Sequence, residues 1–364
     1  MVIQAVLRTK TFAFHFAFHT PCINFVPMKY SFIVPVYNRP DELDELLQSL
    51  TMQKLKDFEV IVVEDGSTIP CKDIVDKYAH RLDVTYYLKP NSGPGQSRNY
   101  GVDKAQGEYV IILDSDVVVP EDYLQAVDDE LSQQACDAFG GPDCAHPSFT
   151  PTQKAISYAM TSFFTTGGIR GGKKKMDKFY PRSFNMGIRR DVYNALHGFS
   201  EMRFGEDIDF STRIFENHYT ARLFPEAWVW HKRRTDFRKF FKQVYNSGIA
   251  RINLTKRHPG TLKLVHTLPA VFTVGCALLL LLSVLALLLG CPHWWVMLLP
   301  FLLFALIIFV DATLQARSLS VGLRAVVASY VQLWGYGSGF CVAWWKRCVR
   351  HEGEFEAFKK NFYK

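Results

Sequence analysis

The feature that most constrains the fold is an uncharged run of 47 residues, Leu264–Val310, which contains no Asp, Glu, Lys or Arg. An α-helix needs about 20 predominantly apolar residues to cross the hydrocarbon core of a bilayer. The run has room for two such helices, Leu264–Leu289 and Trp294–Val310, joined by the short turn Gly290–His293. We therefore expect a pair of transmembrane helices, with Asp311 at the membrane interface where the second helix ends.

Charged residues around this run predict its orientation. Basic residues flank the run on both outer sides, whereas the turn between the two helices has no Lys or Arg. In membrane proteins the cytoplasmic loops carry the excess of Lys and Arg. The pattern predicts a multi-pass protein of the cytoplasmic (inner) membrane with both outer ends in the cytoplasm. The flanking residues are Arg251, Lys256, Arg257 and Lys263 before the run and Arg317 and Arg324 after it.

Residues 317–364 contain another uncharged stretch, Ala325–Trp345. Its three glycines, Gly335, Gly337 and Gly339, weaken a helix. Basic residues follow the stretch, and a third crossing would place them outside, against the positive-inside rule. We favour an interfacial or re-entrant segment with a basic cytosolic tail over a third transmembrane helix.

Residues 236–263, before the run, belong to a strongly basic part of the chain. Phe237, Phe240, Phe241 and Tyr245 recur there at helical spacing among Lys and Arg residues. The pattern is typical of an amphipathic helix on an anionic membrane surface, and it equally fits a helix packed on the soluble domain with a solvated basic face. Because the net charge of +7 is concentrated beside the membrane segment, we expect no binding to nucleic acid.

Residues 1–27 show no pattern that predicts a fold. The apolar stretch Phe12–His19 is too short to span a bilayer, and no small-residue cleavage site suggests a signal peptide. We expect the natural protein to start at Met28 and residues 1–27 to be an unstructured extension. The eight cysteines show no metal-binding spacing and are expected to be reduced thiols.

Residues 28–235 alternate predicted strands with predicted helices, which indicates an α/β domain with a mostly parallel sheet. The strands are continuous apolar runs, as expected when both faces of a sheet are buried. Ligands of such sheets bind at the carboxyl ends of the strands. The predicted strands are Tyr30–Val36, Phe58–Val63, Val84–Leu88 and Tyr109–Leu113, and the predicted helices are Pro40–Met52, Pro70–His80, Gly95–Ala105 and Glu121–Gln133.

Acidic residues stand at two of these carboxyl ends. Asp65 follows the second strand, and Asp114 and Asp116 follow the fourth. On an extended strand end, residues i and i+2 share one face, so the two carboxylates could hold a divalent cation whose other ligands are diphosphate oxygens and water. Asp65 could accept a hydrogen bond from a nucleotide base or ribose. The plain structural alternatives are an acidic turn and a capping aspartate.

Other motifs supply further polar groups. The segment Asn91–Gly101 places glycines and Arg98 at a predicted helix start, where phosphate groups bind readily. Glu206 and Asp207 open another helix, either to match its dipole or to provide a general base. His231 ends a strand-like segment and could ligate a metal. The chain has no dinucleotide fingerprint and no phosphate loop, which weakens the dehydrogenase and P-loop interpretations.

Together these motifs resemble glycosyltransferase family 2, the inverting nucleotide-sugar transferases with a nucleotide-diphospho-sugar transferase (GT-A) fold. The resemblance covers residues 29–235 and lies in the order and spacing of the motifs. The motifs are Pro35-Val-Tyr-Asn38, Glu64-Asp-Gly-Ser67, Asn91–Gly101, Asp114-Ser-Asp116, Asn185–Arg190 and Gly205-Glu-Asp207. The paired apolar helices resemble those of membrane-anchored members that build extracellular polysaccharides or glycolipids.

The resemblance implies a role for each candidate residue. Asp116 would be the direct ligand of Mn²⁺ or Mg²⁺, with Asp114 beside it and His231 as a further ligand. Asp207 would be the catalytic base, and Glu206 would position the acceptor. Asp65 would contact the donor base, and the main chain around Pro35–Tyr37 would line its pocket. The implied donor-binding residues are Pro35, Val36, Tyr37, Asp65, Arg98 and Asp114.

These roles predict a membrane-anchored transferase that moves a sugar from a nucleotide-diphospho-sugar to a hydroxyl of a lipid-linked or saccharide acceptor. The Gln-x-x-Arg-Trp motif of processive synthases is absent at Gln243, which favours transfer of a single sugar. Two alternatives are a polyprenyl-phosphate sugar synthase and a catalytically silent membrane subunit that binds nucleotide sugar. The glycine-rich basic segment 140–182 either closes over substrates or is a solvated loop.

Overall fold

The computed structural model describes residues 29–146, 148–167, 179–232 and 235–358. The predicted extension at residues 1–27 lies outside the described residues. So does the lysine-rich part of the segment 140–182. The described chain begins with the predicted alternation of strands and helices, and each observed element lies within a few residues of its predicted bounds. These elements are β1 (Tyr30–Val36), α1 (Pro40–Thr51), β2 (Phe58–Asp65), α2 (Lys72–Tyr78), β3 (Val84–Lys89), α3 (Pro94–Val102) and β4 (Tyr109–Leu113).

The second half of the α/β domain adds shorter elements. They are β5 (Val117–Val118), α4 (Tyr123–Gln133), β6 (Ala138–Gly140), β7 (Asp143–Cys144), α5 (Pro151–Thr161), α6 (Phe163–Thr166), β8 (Asn185–Arg189), α7 (Arg190–Ala195), α8 (Glu206–Glu216), β9 (Ala221–Leu223) and β10 (Val229–His231).

Seven strands form the main sheet in the order β3-β2-β1-β4-β8-β6-β9. Strand β1 pairs in parallel with β2 and β4, and β8 pairs antiparallel with β4 and β6. Every residue of β1, β2 and β4 is buried, because their side chains enter two hydrophobic clusters, one on each face of the sheet. The predicted α/β fold with a mostly parallel sheet is confirmed. A small second sheet, β5-β10-β7, brings His231 opposite Val117, four residues after the end of β4.

The C-terminal part of the described chain is helical. Its elements are α9 (Phe237–Arg257), α10 (Leu264–Leu288), a 3₁₀ turn (Trp294–Leu298), α11 (Leu299–Ala316), α12 (Leu319–Trp344) and a π-helical turn (Trp345–Val349). Two helical segments are long and apolar enough to cross a membrane: Leu264–Leu288, with a mean hydropathy of 2.8, and Trp294–Ala316, with 2.5. Their placement across a membrane stays a prediction.

Asp311 does not end the second helix as predicted, because α11 continues to Ala316. The Asp311 carboxylate accepts hydrogen bonds from the hydroxyl of Tyr158 on α5 at 2.5 Å and from Gln315 at 3.0 Å. This aspartate therefore joins the apolar hairpin to the α/β domain.

Helix α12 is one continuous helix, and whether it is an interfacial, a re-entrant or a third membrane segment stays a prediction. Its glycines allow close packing instead of breaking the helix. A Cβ at Gly339 of α12 would lie 2.1 Å from the carbonyl oxygen of Tyr245 on α9. Helix α9 contributes a glycine to the same contact, since a Cβ at Gly248 would lie 2.2 Å from the carbonyl oxygen of Tyr336 on α12. On α9, Phe240 is fully buried in a core cluster with side chains of α5, α11 and α12. The aromatic face of α9 thus packs against protein.

Candidate active site

The two aspartates after β4 are brought together by a turn. Strand β4 ends at Leu113, and the amide of Val117 donates to the carbonyl of Asp114 at 3.2 Å. Sequence reasoning placed both carboxylates on an extended strand end. The observed geometry is a tight reversal that leads directly into β5.

Asp114, Asp116 and His231 form a candidate metal site. Each offers one ligand atom, and these atoms lie within 4.8 Å of one another. All three side chains are partly exposed, so further coordination positions are open to water or a bound ligand. Two carboxylates and one imidazole suit Mn²⁺ and are compatible with Mg²⁺. The residues present therefore fit the divalent metal that the sequence resemblance implies.

His231 is oriented by its surroundings. Its Nε2 lies 3.4 Å from Asp116 Oδ1, and its Nδ1 lies 3.7 Å from Asp143 Oδ2. The ring also stacks on Phe184, with the ring centres 4.9 Å apart. A carboxylate beside the second ring nitrogen is the usual support of a metal-binding histidine. Sequence reasoning missed Asp143, which lies on the separate strand β7.

Arg39 was also missed, although it stands in the loop that follows β1. Its guanidinium forms an ion pair with Asp116. Burial lowers the pKa of Arg39, but the charge of Asp116, the hydrogen bond to it and the charges of Glu42 and Asp114 together outweigh that effect and raise this pKa. Arg39 thus balances the negative charge of the Asp114–Asp116 turn.

Arg98 connects the aspartate turn with the acidic start of α8. Its guanidinium is almost fully buried and donates to Asp114 at 2.7 Å and to Glu206 at 3.0 Å. The same group lies 5.2 Å from the centre of the Phe199 ring. Both ends of the guanidinium therefore contact protein carboxylates. Its implied role near the donor phosphates stays a prediction.

Asp65 fixes the loop before α3. One carboxylate oxygen accepts from Lys89 Nζ at 2.5 Å and from the amide of Ser92 at 2.8 Å, and the other accepts from the amide of Gly93 at 2.9 Å. Pro35 and Val36 are buried within β1, and Tyr37 is half-buried directly after it. The implied donor residues thus cluster at one sheet edge, whereas their contact with a nucleotide stays a prediction.

Glu206 and Asp207 open helix α8, as predicted, after Gly205 at φ 85°. This left-handed conformation favours glycine. Both acids are buried. Asp207 Oδ2 accepts from Arg182 Nε at 2.6 Å, and Oδ1 accepts from the amide of Ile208 at 2.9 Å. Arg182, another residue that sequence reasoning did not single out, therefore covers the candidate base.

The two acids of α8 have pKa values shifted in opposite directions. Burial raises the pKa of Glu206 to about 7; the charge of Asp207 adds to this effect, and Arg98 opposes it. Burial also acts to raise the pKa of Asp207, but Arg182, Arg98 and the hydrogen bond from the Ile208 amide together outweigh it and hold this pKa below its ordinary value. Paired acids with diverging pKa values are typical of acid–base sites.

Comparison with known proteins confirms the resemblance seen in the sequence. Residues 31–196 match the model of the family described as Glycosyl transferase family 2. The poly(ribitol-phosphate) beta-N-acetylglucosaminyltransferase TarS of Staphylococcus aureus is 42% identical over 102 residues, which are 27% of this chain and 18% of TarS. The putative teichuronic acid biosynthesis glycosyltransferase TuaG of Bacillus subtilis is 34% identical over 130 residues, 35% of this chain and 51% of TuaG. The chain thus spans less than a fifth of TarS and about half of TuaG.

A solved structure shows the same fold. The mannosyltransferase PcManGT from Pyrobaculum calidifontis, in complex with GDP-Man and Mn²⁺, superposes with a TM-score of 0.51 at 18% identity. The superposition covers 85% of this chain and 88% of PcManGT.

Proposed function

Residues 31–196 belong to glycosyl transferase family 2, and on this premise we propose that the protein is a membrane-anchored, inverting glycosyltransferase. It would move one sugar from a nucleotide-diphospho-sugar to a hydroxyl of a lipid-linked or saccharide acceptor. The observation that carries the proposal is the link through Arg98, which contacts Asp114 of the candidate metal site and Glu206 beside the candidate base. One connected group of side chains thus offers both halves of the chemistry.

On the donor side, Asp114, Asp116 and His231 would hold Mn²⁺ or Mg²⁺. Such an ion, when bound, neutralises negative charge that develops on a departing diphosphate. Asp65 and the main chain of Pro35–Tyr37 would hold the nucleoside at the same sheet edge. PcManGT shares only the fold with this chain, so its GDP-Man does not identify the donor used here.

On the acceptor side, Asp207 would accept the proton of the attacking hydroxyl. The acceptor oxygen forms a bond to the anomeric carbon while the bond from that carbon to the phosphate oxygen breaks, and the nucleoside diphosphate leaves with the electron pair. Attack from the opposite face inverts the anomeric configuration. Arg182 contacts Asp207 Oδ2, and the carboxylate oxygens have further lone pairs that could accept the hydroxyl proton. Glu206 would orient the acceptor.

The apolar helices support the membrane part of the proposal. Leu264–Leu288 and Trp294–Ala316 expose most of their apolar side chains, which suits contact with lipid. The charge pattern around them favours a catalytic domain on the cytoplasmic side of the inner membrane. The names of TarS and TuaG support an acceptor in cell-surface polymer synthesis.

A transfer assay on the detergent-solubilised full chain tests the proposal. Radiolabelled nucleotide sugars are offered with Mn²⁺, Mg²⁺ or EDTA, together with hydroxyl-bearing lipid-linked saccharides or with polyprenyl phosphate. We expect metal-dependent transfer to a hydroxyl acceptor. Label on polyprenyl phosphate alone would indicate a polyprenyl-phosphate sugar synthase instead. Binding of nucleotide sugar without transfer to any acceptor would support the silent subunit.

A further inference from the structure

His258 lies between two acidic side chains of helix α8. It is the residue that ends α9, and it is buried. Its Nε2 is 2.9 Å from Asp209 Oδ1, and its Nδ1 is 2.9 Å from Glu216 Oε1. An imidazole can donate to two carboxylates at once only when both ring nitrogens carry a proton.

The two acids stand seven residues apart, which is about two turns of helix, and so they share one face of α8. One imidazole thus bridges about two of the three turns of α8. Asp207 lies in the first turn of this helix, two residues before Asp209. Any shift of α8 relative to His258 would also move this candidate base.

Asp209 also has a second partner, on α8 itself. Its carboxylate pairs with Arg213 at 3.0 Å. Arg213 in turn donates to the carbonyls of Leu196 and Gly198 at 2.6 and 2.7 Å. The loop before α8 and the end of α9 therefore hold the same carboxylate from two sides.

Helix α9 also contacts the first turn of α8 directly. A Cβ at Gly205 would lie 3.1 Å from Leu254 Cδ1 and 3.4 Å from the Cβ of Ala250. Only five residues separate His258 from Leu264, where the first apolar helix begins. The start of the proposed membrane anchor and the start of α8 are thus joined by close packing and by the His258 bridge.

From these contacts we infer that His258 is a positioning residue for glycosyl transfer, which fixes Asp207 relative to the base of the apolar hairpin. The inference rests on the proposed function, in which Asp207 is the catalytic base. A misplacement of about 1 Å at a reacting group lowers a rate by about 100-fold. Loss of one contact of the bridge leaves the packing of α9 in place. We therefore expect about a 10-fold loss of turnover, with the KM for the donor unchanged, because Asp65 and Asp114 lie on strand ends outside α8.

The test compares two variants with a matched control in the full chain. His258→Gln retains one donor of the two, and Glu216→Gln removes the carboxylate that is half-exposed and is therefore the milder change. His80→Gln, at an exposed histidine after α2, serves as the control. We expect both site variants to lower kcat, to leave the donor KM unchanged and to speed amide hydrogen exchange in residues 206–216. The double variant His258→Gln/Glu216→Gln should lose less than the product of the two single losses.

Unchanged hydrogen exchange in residues 206–216 together with unchanged kcat in both variants would overturn the inference. An equal loss of kcat and donor affinity, with a lowered melting temperature, would indicate a general structural role and would also overturn it. The hydrogen-exchange measurement does not depend on turnover. If Asp207→Asn kept full activity, the proposed base would be wrong, whereas an inactive Asp207→Asn with fully active His258 and Glu216 variants would refute only the positioning role.

Discussion

The molecule places two pairs of acidic residues near one another but in contrasting environments. Asp114 and Asp116 lie in a turn after a strand, are partly exposed and share their surroundings with His231. Glu206 and Asp207 open a helix, are buried, and pair with Arg98 and Arg182. Each acid of both pairs contacts an arginine, but the first pair also converges with an imidazole.

Because of this difference, the two pairs suit different chemical roles. Carboxylates that converge with an imidazole and remain open to solvent suit a hydrated cation with room for phosphate oxygens. Carboxylates that are buried beside different arginines acquire distinct pKa values, which suits proton transfer and not shared ligation. Spacing in the sequence shows neither property, because i,i+1 and i,i+2 acidic pairs are both common in turns and at helix starts.

The largest expected effect comes from the buried pair. Asp207→Asn keeps the shape of the side chain but removes its ability to accept a proton, so transfer should fall by about 1000-fold. Donor affinity should stay within experimental error, because the donor residues belong to the strand ends. Steady-state transfer and equilibrium binding of a nucleotide sugar measure the two properties. A variant that keeps its turnover would remove Asp207 as the base.

Substitution in the partly exposed pair should instead weaken metal binding. Asp116→Ala removes a proposed metal ligand, and we expect Mn²⁺ affinity to fall by about 100-fold, at the upper end of what loss of a supporting group costs. Titration with Mn²⁺, followed by electron paramagnetic resonance of the free ion, measures this without any turnover. Asp122→Ala is a suitable control, since Asp122 is an exposed acid that pairs with Lys54 on the surface. Equal Mn²⁺ affinity in Asp116→Ala and the wild-type protein would contradict the metal assignment.

Sequence reasoning located the strands and the acidic residues well, for a physical reason. A strand buried on both faces must be apolar throughout, so Tyr30–Val36 and Tyr109–Leu113 are visible as runs with observed bounds identical to those predicted. The polar residues that follow such runs must then lie at one edge of a parallel sheet. This logic brought Asp65, Asp114 and Asp116 to the correct side of the domain.

The partners of those acids could not be predicted, because they come from distant parts of the chain. Arg39 contacts Asp116 across 77 positions, and Arg98 contacts Glu206 across 108. No periodic pattern in the sequence indicates a contact between residues so far apart. Helix α12 shows a related limit, since its glycines lower helix propensity in isolation yet allow close contact with α9 and α10 in the folded chain.

Arg182→Gln tests whether the ion pair between Arg182 and Asp207 controls the pKa of the candidate base. The Arg182 charge helps to hold the pKa of Asp207 down, so its removal should raise that pKa. A base is active only when ionised, and the acid limb of the pH–turnover profile should therefore move to higher pH. Arg189→Gln is the matched control, because Arg189 pairs with Asp137 and Asp191, away from α8. An acid limb that stays in place would show that Arg182 does not act on the base.

Glu206→Gln should give the smallest change, and its pH dependence is the informative part. Glutamine imitates the protonated acid, which is the form that dominates in the wild-type protein below its pKa of about 7. The variant should therefore match the wild-type protein near pH 6 and diverge from it near pH 8, by less than about tenfold, the equivalent of one pKa unit. Turnover measured between these values, with Glu121→Gln at an exposed surface acid as the matched control, reports the difference. A constant ratio between variant and wild type across that range would mean that Glu206 does not titrate there. Glu206 and Asp207 would then differ in position, but neither would change its protonation state over that pH range.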